Sequence, residues 1–99
     1  MILQKAIDNL ESYSNSKKKI LSLLLELSED NEAAVSAKSL IKMTGLTMPT
    51  VYTALKGLQK EEVIYKNPNS PNSFKFNVGK LEKIQSSYLK KMSIMGDLV

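Results

Sequence analysis

Fourteen lysines, four tyrosines and ten carboxylates are the only ionisable side chains in this 99-residue sequence, which has no cysteine and no histidine. Without thiolate or imidazole there is no disulfide framework, no soft-ligand metal site and no histidine-assisted nucleophile. Neither a nucleophile paired with a base nor a glycine-rich phosphate loop occurs. No catalytic residue, metal ligand or cofactor is therefore assigned, and the chain reads as a non-enzyme. What the lysines can do is neutralise phosphate. None of the fourteen basic residues is an arginine, so the charge comes as points, without the planar fork that reads guanine bidentately.

That charge is unevenly placed. The formal net charge of +4 divides into −2 over residues 1–35, where Glu26, Glu29, Asp30 and Glu32 crowd together, +5 over residues 36–81 and +1 over residues 82–99. The central segment sets Lys38, Lys42, Lys56, Lys60, Lys66, Lys75 and Lys80 against Glu61 and Glu62 alone. A local positive field of this kind fits a polyanionic partner. Lys17, Lys18 and Lys19 read instead as the solvated start of a helix.

Apolar spacing predicts the elements that hold these lysines. Leu3, Ala6, Ile7, Leu10 and Tyr13 recur at three- and four-residue steps and predict an amphipathic helix within residues 1–14. Ser12 to Ser16 supplies a loop and a cap, and Lys17 to Leu27 predicts a leucine-rich core helix. The acidic stretch Ser28 to Glu32 ends it, and Ala33 to Val35 predicts a short strand. Ser36 caps a helix over Ala37 to Met43 with Leu40 and Ile41 inward, and Gly45 takes the left-handed position after it. Thr47 is placed to cap a helix over Met48 to Lys60, with Pro49 in its first turn and Val51, Leu55 and Leu58 as the inward stripe. Val63 to Lys66 and Phe74 to Asn77 predict a hairpin around the turn formers of residues 67–73. Asn77 caps a last helix within residues 78–96, whose stripe is Leu81, Ile84, Tyr88, Met92 and Met95.

Two short helices joined by a glycine turn and followed by a hairpin is the order of a winged helix-turn-helix. The run from Ser36 to Ile64, through Leu40, Gly45, Leu46, Thr47, Pro49, Thr50, Val51, Leu55 and Leu58, resembles the bacterial MarR and ArsR-type winged-helix DNA-binding domain. The similarity extends over residues 17–78. The resemblance implies a mainly α fold with a small β-hairpin wing, one winged-helix domain over residues 1–99 with additional N- and C-terminal helices, and double-stranded DNA as partner. It also implies that helix 48–60 lies in the major groove. Carried over position by position, Met48, Thr50, Tyr52, Thr53 and Lys56 meet base edges or phosphates. Lys38 and Lys60 neutralise backbone charge, and Lys66 and Lys75 engage the backbone from the wing strands. The sequence departs from the family pattern at Glu62, where glycine usually precedes the wing. It departs again at the wing tip, where Asn67, Asn69, Ser70, Asn72 and Ser73 replace the usual arginine.

Leu3, Ile7 and Leu10 of the first helix and Leu81, Ile84, Tyr88 and Met92 of the last lie outside the minimal winged core. They are expected to build a homodimer interface that sets two reading helices about 34–36 Å apart on DNA. The function expected is a small transcriptional regulator that represses by occupancy. The alternative is a plasmid or phage centromere-binding adaptor of a partition system, with a filament-forming NTPase as protein partner. A third reading is a winged helix used for protein contacts alone. A cytoplasmic location with nucleoid or plasmid association, and no membrane partner, is expected because no stretch approaches about 20 apolar residues. Asp8 and Glu11 also interrupt the region where a signal peptide keeps its apolar core.

Overall fold

The computed structural model of the chain describes residues 2–70 and 72–97. Its elements are α1 (Ile2–Asp8), α2 (Asn15–Leu27), β1 (Glu32–Ala34), α3 (Ala37–Thr44), α4 (Met48–Lys60), β2 (Ile64–Lys66), β3 (Ser73–Phe76) and α5 (Val78–Asp97). The strands form one antiparallel sheet in the order β1-β3-β2. This is the mainly helical, winged helix-turn-helix architecture expected from the sequence, with helices before and after it. Among the described residues no helix is long and apolar enough to cross a membrane.

Helix ends are made by identifiable residues. Ser14 accepts a hydrogen bond from the Lys17 N–H and opens α2, and Ser36 accepts from the Ser39 N–H and opens α3. Gly45, at φ 71°, closes α3 by donating its N–H to the Ile41 carbonyl, the single-bond left-handed ending. Thr47 has the extended backbone of a cap, but its hydroxyl pairs with that of Thr50 at 2.7 Å instead of holding an N–H. Helix α4 ends in a Schellman motif built without glycine. The Val63 N–H reaches the Leu58 carbonyl, the Glu62 N–H reaches the Gln59 carbonyl, and Glu62 itself sits at φ 61°. Glutamate thus fills the position where the family pattern has glycine, at a backbone cost of about 1–2 kcal/mol.

Two boundaries and the sheet differ most from the sequence-based expectation. Helix α1 stops at Asp8 and does not run on to Tyr13, because the Asn9 side chain donates to the Lys5 carbonyl and the chain turns. Tyr13 then enters the core. The first strand starts one residue early, because Asp30 and Asn31, at φ 52° and 63°, make a two-residue turn closed by reciprocal backbone bonds between Glu29 and Glu32. That strand also converts the expected hairpin into a three-stranded sheet, pairing Glu32 with Lys75, Ala33 with Phe74 and Ala34 with Ser73.

One buried cluster runs from α1 to α5 and includes Ile7, Ile20, Leu21, Leu24, Leu40, Val51, Leu55, Leu58, Val63, Ile64, Phe74, Phe76 and Leu81. For two residues of the terminal helices the interface expectation is corrected here. Ile7 and Leu81 are 0% and 7% exposed within the single chain, so they serve its own core and offer nothing to a second copy. Helix α1 packs on α5, with Leu3 and Leu10 partly buried against the core. Met95, placed in the α5 stripe by its spacing, lies outside the described side chains, as Pro71 lies outside the described residues of the wing loop.

Candidate nucleic-acid interface

Helix α4 has two opposite faces. Val51, Ala54, Leu55 and Leu58 are buried beneath it, which fixes its rotation. Met48, Pro49, Tyr52, Thr53, Lys56 and Lys60 are therefore turned outward, and all are exposed. Met48 and Tyr52 remain 59% and 50% exposed, large side chains that the fold itself does not use. Thr50 is half-buried on the flank facing α2, where it lines a groove of about 410 Å³ with Ser14, Ser16, Lys17, Pro49, Thr53 and Gly57.

On the other flank, a groove of about 540 Å³ opens between α4, the start of α3 and the wing. Lys38, Tyr52, Lys56 and Lys66 line it together with Gln59 and Asn72, above Leu55 and Phe74. Three lysines thus share one groove with a tyrosine, and no carboxylate lines it among the described residues. Such a concavity concentrates positive potential and suits an anionic backbone. Lys60 extends the charged edge one turn beyond Lys56 and sits in the last turn of α4, where a cation is favoured by the helix dipole.

Lys75 does not join this group. Lys66 and Phe74 are register partners on the sheet face toward α4, whereas Lys75 pairs with Tyr65 and Glu32 on the opposite face. The period-2 alternation of β3 puts the two lysines on opposite faces of the sheet. Gln59 was not anticipated; its position one turn after Leu55 and beside Lys56 is the only signal in the sequence.

The wing is held at its base by a carboxylate that sequence reasoning assigned merely to an acidic helix stop. Glu32 Oε2 accepts a hydrogen bond from Asn67 Nδ2 at 2.7 Å and another from the Ser73 hydroxyl. Asn67 and Ser73 flank the wing loop, and Asn67 Oδ1 also accepts from the Asn69 N–H at 2.9 Å. Hydrogen bonds from Ser73 and Asn67, aided by the nearby Lys75 charge, hold the Glu32 carboxyl below its ordinary pKa.

The lysine run at 17–19 also has a structural role in place of the solvated one expected. Lys17 pairs with Glu61 at the end of α4, and its ammonium lies 4.1 Å from the centre of the Tyr13 ring. Burial lowers the Lys17 pKa and raises that of Tyr13. Lys18 and Lys19 donate to the Asp8 and Thr44 carbonyls, the last residues of α1 and α3. All three lysines therefore tie α2 to its neighbouring helices.

Helix α4 with one face buried, a glycine turn before it and a pinned wing after it make a winged helix-turn-helix fold. Among solved structures, a single-substitution variant of S. aureus MepR bound to an oligodeoxyribonucleotide is similar to this chain with a TM-score of 0.60 and 22% identity. The match covers 95% of this chain and 72% of the other. The family is given by sequence: a model described as Firmicute plasmid replication protein (RepL) matches residues 1–78, and the chain belongs to that family. The matched stretch ends at the first residue of α5. No curated protein matches the sequence.

Proposed function

We propose that this chain is a double-stranded DNA-binding protein of plasmid replication, which occupies replication-region DNA as a homodimer and performs no catalysis itself. The observation that carries the reading is the groove lined by Lys38, Tyr52, Lys56 and Lys66 beside the exposed face of α4. Membership of the plasmid replication family supports the process, and the DNA-bound state of the similar MepR chain supports the partner. Helix α4 enters the major groove. Lys56 and Lys60 neutralise phosphates along it, and Lys38 and Lys66 hold the flanking backbone. The protein then works in the cytoplasm, on its plasmid.

The second copy docks on the α1–α5 side. Leu10, Ile84 and Tyr88 line a cleft of about 300 Å³ there, and Leu89 and Met92 are 43% and 50% exposed. A two-fold axis through α5 makes the DNA site an inverted repeat. Occupancy of a promoter within the replication region would make the same protein a repressor. The family description favours replication over partition, so no filament-forming NTPase is included as a partner.

The test mixes the purified protein with sheared DNA of its plasmid at near-physiological salt and sequences the retained fragments. The expected result is one cluster in the replication region, with inverted half-sites. Retention equal to input at every salt concentration would remove the DNA-binding reading.

A further inference from the structure

The outward face of α4 divides chemically at its middle. Its first two turns present Met48, Pro49, Tyr52 and Thr53, all exposed, and the remainder presents Lys56, Gln59 and Lys60. In a helix-turn-helix the N-terminal residues of the reading helix meet the base edges. Here those residues carry no charge and no amide. Guanine recognition uses a bidentate cation, cytosine a carboxylate acceptor and adenine an Asn or Gln amide, and none of these occurs before Lys56. The hydroxyls of Thr53 and Tyr52 can bond to donors and acceptors alike and so do not discriminate between bases, whereas a thioether, a pyrrolidine ring, an aromatic ring and a threonine methyl discriminate by apolar contact with the thymine C5-methyl.

Exposure argues in the same direction. Met48 and Tyr52, four residues apart on one edge of α4, are 59% and 50% exposed although each has apolar surface that burial would stabilise. Tyr52 lines the lysine-rich groove and Met48 lies one helical turn before it, so a partner that covers both meets apolar surface next to positive charge.

Resting on the DNA-binding function proposed above, we infer that the first two turns of α4 form a thymine-methyl-reading surface, with Met48 and Thr53 as its specificity-determining residues and A·T-rich duplex as its preferred ligand. The absence of arginine from the whole chain is consistent with a site that does not depend on guanine contacts.

The test selects duplexes from a randomised pool with the wild-type protein. The retained duplexes are then rebuilt with deoxyuridine in place of thymidine, which removes only the methyl group and keeps the base pair. The expected result is A·T enrichment and a loss of about fourfold in affinity for each recognised methyl removed. The Met48→Ala, Thr53→Ser variant is expected to bind both duplexes alike. Both side chains are exposed, and an unchanged circular-dichroism melt verifies the fold. Equal wild-type affinity for thymidine and deoxyuridine duplexes would overturn the inference while leaving DNA binding intact. A deoxyuridine penalty that persists undiminished in the double variant would overturn its assignment to α4. Retention of no duplex at all would instead remove the DNA-binding reading.

Discussion

Between α2 and β3 the chain closes its helix ends and its wing with specific hydrogen bonds, through Ser14, Ser36, Gly45, the Glu62 turn and the Glu32 clamp. The α1–α5 pair is joined mainly by apolar packing and leaves Leu89 and Met92 in solvent. Under the function proposed above, the difference separates two tasks. A surface that must match a fixed helical ligand needs a rigid frame, because an ammonium held out of reach of its phosphate contributes nothing. A surface that meets a second copy can stay unfinished in one chain, since association completes its burial.

Substitutions on either side sharpen that contrast. The largest expected effect is in the winged core: Leu58→Ala, at a fully buried site under α4, should cost about 2–5 kcal/mol in urea unfolding. A loss under about 1 kcal/mol would mean that α4 is not anchored by this stripe. Next is Gly45→Ala. Nothing lies within 4 Å of the added Cβ, so only the positive φ opposes it, and the expected cost is about 1–2 kcal/mol. On the other side, Ile84→Asp should give monomers in sedimentation while shifting the melting temperature less than Gly45→Ala does. A fully dimeric Ile84→Asp protein would place the second copy elsewhere.

The smallest effect probes the wing clamp. Glu32 has a lowered pKa in the folded chain, so its contribution is present above the unfolded carboxyl value and is lost as pH falls through the folded one. Wild type should therefore melt above Glu32→Gln at neutral pH, and the gap should close in acid. A gap independent of pH would show that the charge of Glu32 is not what the wing senses.

Periodicity and caps made much of this architecture readable. The stripe of Val51, Leu55 and Leu58 fixed the rotation of α4 and so placed Tyr52, Lys56 and Lys60 outward, and Gly45 marked the turn before it. Pairings between residues distant in sequence were not readable. Glu32 meets Asn67 and Ser73 at separations of 35 and 41 residues, and no local pattern announces such a bond. Lys17 meets Glu61 in the same way. The side of the sheet that Lys75 takes was unreadable for a different reason: it depends on a register that the partner strands set. Ile7 and Leu81 were assigned to an interface because an apolar stripe looks the same whether its own chain or another covers it.

The central claim is that the groove between α4, α3 and the wing binds the DNA backbone. It is tested most directly by titrating a duplex retained from the plasmid with wild type and with the Lys56→Ala, Lys66→Ala variant over a range of salt concentrations. The slope of log affinity against log salt should be shallower in the variant by about two, roughly one for each phosphate that the missing ammonium no longer neutralises. An unchanged slope in a folded variant would contradict the assignment of this groove.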